Sequence, residues 1–218
     1  MTETSQTKTL QDGSPAHVKG KKRDRSASED RLLHAGLEMF SKLGFDGATT
    51  RMIAKKADVN ESLIARYFEG KEGLLVAIIE KFIEEMNARE LPYSLHDNLA
   101  DELEAYVSDR IQEGCTHEDF AKIIFSQALV NKKFKKRVTE TIPMQLDPRL
   151  LARVQALADQ GKLKPGTNVE ELCLDVDTYM DGMFFFECIL HETTKDELVK
   201  RTVRFVRLYA KLYDPSAK

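Results

Sequence analysis

Thr49-Thr50-Arg51-Met52-Ile53-Ala54-Lys55-Lys56-Ala57-Asp58-Val59-Asn60-Glu61-Ser62-Leu63-Ile64-Ala65-Arg66-Tyr67-Phe68 reads as two short helices joined by a tight turn. Thr49 or Thr50 can cap the first helix, and Ile53 and Ala57 fall i, i+4 on its inner face. Ala54 is small where the second helix must cross closely. Asp58 stands where the chain reverses; aspartate tolerates the left-handed backbone better than most residues, though less well than glycine. Asn60 is placed to cap the second helix, whose inner face is Val59, Ile64, Tyr67 and Phe68. Ser62 and Arg66 lie opposite that face, flanked by Leu63 and Ala65. Such a pair can present its second helix to the major groove of a duplex. Taken alone it is a weak signal, because tight turns between short helices are common.

The flanks sharpen it. Upstream, Arg31-Leu32-Leu33-His34-Ala35-Gly36-Leu37-Glu38-Met39-Phe40 is amphipathic and is followed by a Leu43-Gly44-Phe45 corner. Downstream, Tyr67-Phe68-Glu69-Gly70-Lys71-Glu72-Gly73-Leu74-Leu75 closes the unit and opens a longer helix. Phe40, Gly44-Phe45, Thr49-Thr50, Ile53-Ala54, Val59, Tyr67-Phe68, Lys71-Glu72 and Leu74 occur in order over residues 29–75. In this the chain resembles the DNA-binding domain of the TetR (tetracycline repressor) family of transcriptional regulators. Asp58 and Ser62 replace glycines usual or frequent in that family, and Ala65 replaces a tyrosine that commonly contacts DNA. Base readout therefore does not carry over from relatives.

Composition is consistent with a helical chain. The 218 residues are 42% hydrophobic and 32% charged, with only six prolines and no useful β-alternating tract. The net charge of −3 excludes a globally basic nucleic-acid binder. Residues 1–72 hold 13 Lys/Arg against 11 Asp/Glu, and the remainder 20 against 25. The asymmetry is mild but favours a DNA-facing N-terminal part. Cys115, Cys173 and Cys188 are odd in number and lack CxxC spacing, so a secreted disulfide framework is not expected and inert buried thiols are. There is no apolar signal-peptide core, and the run Met180–Leu190 is too short to span a bilayer and holds Asp181 and Glu187. The default location is the cytoplasm.

Three segments follow. Residues 1–27 read as a disordered basic arm, with Lys21, Lys22, Arg23 and Arg25 either solvated or reaching phosphates or the minor groove. Residues 28–75 read as the helix–turn–helix head, its first helix capped by Ser26 or Ser28. Residues 76–218 read as an all-α body. A helix from Lys71 to about Arg89 joins head and body, and Leu91-Pro92 ends it. Further helices are expected over 98–113 with Gly114 as the stop, 118–131, 132–141, 148–160 with Gly161 as the C-terminal cap, 169–191 and 195–213. Thr194 and Glu197 have capping-box spacing for the last. The basic cluster Lys132 to Arg137 reads as a solvated face.

The last two helices are apolar on more than one side, and the surplus suggests a subunit interface. The resemblance implies a homodimer at an intersubunit four-helix bundle there; Phe185, Phe205 and Tyr209 are the candidate interface residues. DNA-contact candidates are Thr50, Arg51, Tyr67 and Lys71 for phosphates or groove edge. Asn60, Ser62, Leu63 and Arg66 stand nearer base edges, and Arg66 is the candidate for bidentate guanine readout. Glu61 reads as a helix cap or an acceptor from cytosine. The candidate effector walls are Tyr106, Phe120, Ile124, Met144, Tyr179 and Met183, suited to a small apolar or aromatic molecule.

Enzyme chemistry finds no support: the five histidines are scattered, and Walker A, GxGxxG and GxSxG patterns are missing. Asp175, Asp177 and Asp181 read as solvated or capping charges, so neither metal nor cofactor is expected. The sequence reading is therefore a homodimeric regulator, a repressor, released from a palindromic double-stranded DNA operator by a small-molecule effector. The competing reading is a helical ligand-binding or protein-interaction adaptor that never touches DNA. Deleting residues 1–25 decides the arm's role. If the arm reaches phosphates, the log–log salt slope of duplex binding, measured by fluorescence anisotropy, drops by about one unit for each phosphate it had neutralised. An unchanged slope returns the arm to a solvated tail.

Overall fold

The computed structural model describes the backbone of residues 16–141 and 146–216 and the side chains of residues 24–140 and 146–216. Among them the elements are helical throughout: α1 (Ala16–Gly47), α2 (Thr50–Lys56), α3 (Ser62–Phe68), α4 (Lys71–Ala88), α5 (Leu99–Thr116) and α6 (Glu118–Val130). They continue with α7 (Lys132–Thr141), α8 (Pro148–Asp159), α9 (Val169–Met183) and α10 (Lys195–Ala210). A π-helical segment, Phe184–Leu190, extends α9, and a 3₁₀ turn, Lys211–Tyr213, extends α10. No described helix is long and apolar enough to cross a membrane.

The first helix begins at Ala16, well before the expected cap at Ser26 or Ser28, so the disordered arm expected over 1–27 is corrected for its second half. No proline interrupts residues 16–47, and Lys, Arg and Ala are good helix formers. Arg25 Nε meets Glu29 Oε1 at 2.8 Å, and Ser28 Oγ donates to the Asp24 carbonyl at 2.9 Å, both across one helical turn. The cap candidate Ser28 is therefore an interior helical residue. At the other end Gly44 (φ 71°, ψ 172°) makes the corner read from Leu43-Gly44-Phe45, and the Phe45 ring stacks on Phe40 at 5.6 Å.

Other boundaries moved for visible reasons. Asn98 caps α5, accepting from Asp101 N at 2.9 Å. Gly114 does not end that helix. A Cβ there would lie 3.0 Å from the Phe184 ring, so the glycine admits an aromatic edge rather than stopping a helix. Thr194 precedes α10 without a side-chain cap, and Glu197 pairs instead with Arg201 at 3.0 Å. The expected single helix over 169–191 changes at Phe184 to i→i−5 bonding, seen where His191 N donates to Phe186 O at 3.0 Å. Gly161, with φ 70°, caps α8 as its position predicts.

Two large apolar clusters, with a smaller third around Ile111, Cys188 and Leu198, organise the described residues. One joins α1 to α4 and runs on into α6 and α7 through Phe120, Ile123 and Phe134, so a boundary at residue 75 falls inside continuous core. The other gathers α5, α8, α9 and α10 around Leu103, Tyr106, Leu150, Leu157, Leu172 and Val176. Each such side chain, fully buried, stabilises the fold by about 1.5–3 kcal/mol.

A polar knot pierces this second core. The Tyr106 hydroxyl, fully buried, lies 2.8 Å from Asp177 Oδ1 and 3.1 Å from Asp147 Oδ2. Asp147 N donates to Asp177 Oδ2 at 3.2 Å, and Asp147 caps α8 by accepting from Arg149 N at 2.9 Å. Arg149 Nη2 pairs with the same carboxylate at 2.7 Å. Burial pushes Asp177 above the usual aspartate range. Burial acts the same way on Asp147, but its bonds from Arg149 outweigh it and hold the carboxyl low. One hydroxyl proton serves one acceptor, and the shorter contact is to Asp177.

Because Asp147 titrates below its ordinary 3.8 when folded, its contribution is complete at neutral pH and is lost as the pH falls through that range. Asp147→Ala strands a buried guanidinium and removes a cap, so urea unfolding at neutral pH should show a loss of about 3–5 kcal/mol. The difference from wild type should shrink in acid.

Candidate nucleic-acid interface and effector cavity

Thr49 is extended (φ −93°, ψ 151°) and its hydroxyl accepts from Met52 N at 3.2 Å, starting α2. Asp58 then takes the left-handed conformation, φ 52°. Its amide donates to Lys55 O at 3.3 Å, and that of Val59 to Ala54 O at 3.1 Å, the paired bonds of a Schellman cap. An aspartate thus does what glycine usually does at this position. Asn60 Oδ1 accepts from Ser62 N at 2.9 Å and opens α3.

Glu61 has a role the sequence reading missed. It neither caps α3 nor stands free, because Thr50 donates to its Oε1 at 2.6 Å. This bond ties the start of α2 to the start of α3 and occupies the Thr50 hydroxyl. Two polar residues so far apart carry no local signal for such a bond.

On the outer side, Arg51, Asn60, Ser62 and Arg66 are exposed, while Leu63 and Tyr67 are half-buried. Arg66 stands 6.0 Å from the Tyr67 ring centre and Arg25, from α1, 5.0 Å from it. One residue of the basic run therefore sits beside the second helix of the pair, although Glu29 shares its charge. The side chains of Lys21, Lys22 and Arg23 lie outside the described residues. Lys71 departs from the expected free phosphate contact. Its ammonium donates to Phe45 O at 2.8 Å and lies 4.3 Å from the Phe45 ring centre. It closes the Gly44 corner, because that carbonyl lacks a helical partner.

Behind α3 the backbone is packed to contact. A Cβ on Gly73 would lie 1.6 Å from the Phe68 carbonyl oxygen, so only glycine lets α4 start this close to the end of α3. The far half of α4 supplies Ile79, Phe82, Ile83 and Met86 to a cavity of about 230 Å³. Its remaining walls come from α5, α6, α9 and the first π-helical residue, Phe184. Arg89, just past α4, pairs with Asp109 at 2.6 Å and Glu113 at 3.5 Å, fixing this end of the helix to α5.

Of the expected effector walls, Phe120 and Ile124 line this cavity. Tyr106, Tyr179 and Met183 do not, and Met144 lies outside the described residues. Tyr106 is spent on the polar knot. Met180 and Phe184, one turn apart, face the cavity; Tyr179 and Met183 belong to the adjacent row of the same helix. Tyr179 stacks on Phe205 at 3.5 Å, and Met183 packs with Ile111, Cys188 and Leu198. The sequence reading missed the α4 wall and Arg110, since a hydrophobic period does not distinguish core from lining.

The surplus apolar surface is real. Phe186, Leu190, Leu208 and Leu212 are all more than half exposed along the π-helical segment, α10 and the 3₁₀ turn. Phe185 and Phe205 are half-buried, packed against Phe125 and Tyr179 respectively, and the Tyr209 hydroxyl donates to Asp175 Oδ2 at 2.6 Å.

Residues 32–78 match the family model for bacterial regulatory proteins of the tetR family. The chain is 26% identical over 155 residues to YvkB, an HTH-type transcriptional regulator of Bacillus subtilis, covering 71% of this chain and 78% of that one. It is 33% identical over 66 residues to the class G tetracycline repressor protein of Vibrio anguillarum, covering 30% and 31% of the two chains. A TetR transcriptional regulator from Agrobacterium tumefaciens shares the fold, with a TM-score of 0.64 at 20% identity over 87% of this chain and 96% of that one. The helix–turn–helix, the head that carries it and these likenesses lead to one conclusion: residues 32–78 form a DNA-binding head of the tetR family of bacterial regulatory proteins, on a chain that shares the fold of TetR regulators.

Proposed function

We propose that the chain is a homodimeric repressor that leaves a palindromic operator when a small molecule fills the cavity beside α4. The observation that carries this reading is the continuity of α4. One end meets the carbonyl of Phe68 through Gly73, and the other end walls the cavity. An occupant that moves Phe82 or Met86 moves a helix held against α3. A ligand that favours the DNA-free spacing lowers DNA affinity by the same coupling factor, commonly about 1–3 kcal/mol. The name of the Vibrio relative, a repressor, supports the sign of the regulation.

In this reading residues 28–75 are the DNA head and residues 76–218 the effector and dimerisation body. Arg51 and Tyr67 contact the backbone, with Thr50 contributing once its bond to Glu61 opens. Asn60, Ser62, Leu63 and Arg66 face base edges. Lys71 serves the head chiefly by closing the Phe45 corner. The two mutants therefore separate. Arg66→Ala should relax preference at one position per half-site, at about 1–3 kcal/mol, without lowering thermal stability. Lys71→Ala should weaken all sequences alike and also lower the melting temperature. Selection from a random duplex pool, with calorimetry of both proteins, checks the pair; equal loss without altered preference in both removes the assignment.

Dimerisation is assigned to α10 and the π-helical segment because apolar surface of this extent is unfavourable in water. Leu208 tests it more cleanly than Phe185 or Phe205, since it is 57% exposed in the single chain. Leu208→Asp leaves the monomer core intact but buries a charge if a partner covers it. Sedimentation should show folded monomers that no longer bind a palindrome. Dimers of unchanged stability move the interface elsewhere.

A further inference from the structure

The cavity contains one charged group whose needs the protein leaves unmet. Arg110, on α5, has a buried Nε with no hydrogen-bond partner among the described residues. Its Nη1 donates to the thioether of Met86, a weak acceptor. Among the described residues no carboxylate comes within ion-pair distance of it, whereas Arg149 and Arg153 each hold one and Arg89 and Arg207 each hold two. Leaving such a donor dry is costly unless something else supplies the acceptor.

We propose that the cavity takes a small hydrophobic acid, an aromatic or short-chain carboxylate whose head group is bound by Arg110. This deepens the effector reading and rests on it. A carboxylate matches the fork of a guanidinium and accepts charge-assisted bonds. The rest of the wall, rich in phenylalanine, suits an apolar body, and about 230 Å³, room for about eight waters at the ~30 Å³ each takes in the liquid, admits a body of one aromatic ring.

The acidic groups of the wall favour an anion less but do not reverse the choice. Glu113 is already engaged, by Arg89 at 3.5 Å and by His117 at 3.6 Å. Asp181 retains contact with solvent on its outer side, which hydrates its charge. Burial against the protein pushes its pKa up, against the pull of Arg110. Arg110 Nε has no hydrogen-bond partner among the described residues.

The test uses three probes with one body: 3-phenylpropanoate, 3-phenylpropanol and 3-phenylpropylamine. Each is titrated calorimetrically into the full chain, into Arg110→Met and into Ile124→Trp, with folding checked by circular dichroism. The acid should bind about tenfold or more tightly than the other two, a preference Arg110→Met abolishes while the alcohol is unaffected. Ile124→Trp should exclude all three. Should Arg110→Met not fold, Asp181→Asn, which keeps the guanidinium and removes the opposing charge, should tighten the acid. An amine that binds tightest, an acid indifferent to the Arg110 and Asp181 changes, or no binding by any probe overturns the proposal. Anisotropy of a pool-selected duplex separates the two layers: an acid that binds through Arg110 yet leaves DNA affinity unchanged defeats operator release and not the head-group assignment.

Discussion

The contact between the Phe68 carbonyl and the bare Cα of Gly73 sets how the molecule is arranged. It places the end of α3 directly on the first turn of α4, with no side chain between to yield. A helix cannot bend sharply without a proline, a bulge or an inserted group, and α4 has none. The orientation of α3 is thereby tied to that of α4. Glu61 and Thr50 then tie α2 to α3, and Lys71 ties the α1 corner to the same unit. The head and α4 are thereby packed as one unit.

The far end of α4 meets a body stiffened by a different force. Tyr106, Asp177, Asp147 and Arg149 form a buried polar knot among aliphatic side chains. Such a network specifies one arrangement, because every alternative leaves a charge or hydroxyl unpaired. Glu102, also fully buried, repeats the device with Arg153 at 3.3 Å and the His96 amide at 2.9 Å. Arg149 donates as well to the Arg89 carbonyl, at 3.2 Å, so the knot reaches the end of α4. Between this rigid body and the rigid head lies the cavity, lined by flexible methionines and by aromatic rings. That is where the chain has room to give.

The π-helical turn connects the cavity to the outer face. Phe184 points toward Gly114 and lines the cavity, while Phe186 and Leu190 turn outward. The π turn shifts the rows of α9 at this point, and the three consecutive phenylalanines meet Gly114, Phe125 and solvent in turn. A change in the cavity is thus one turn of helix away from the exposed apolar surface.

Local rules of capping, period and backbone preference already settle the all-α class, the helix–turn–helix and its turn, the Gly44 corner, the Gly161 end of α8 and the surplus apolar face of the last helices. Such rules act over a few residues and are legible in order along the chain. What the polar and glycine residues are for emerges only from the packing of the helices. Gly114 looked like a stop and is a seat for Phe184; Thr50 and Lys71 looked outward and are bonded inward; Tyr106 looked like a ligand handle and holds the core. Arg110 drew no notice, because an arginine on an amphipathic helix reads as solvated until its neighbours are known. Each of these depends on a partner more than ten residues away, and side-chain pairing at that range is fixed by how helices cross, which no local period encodes.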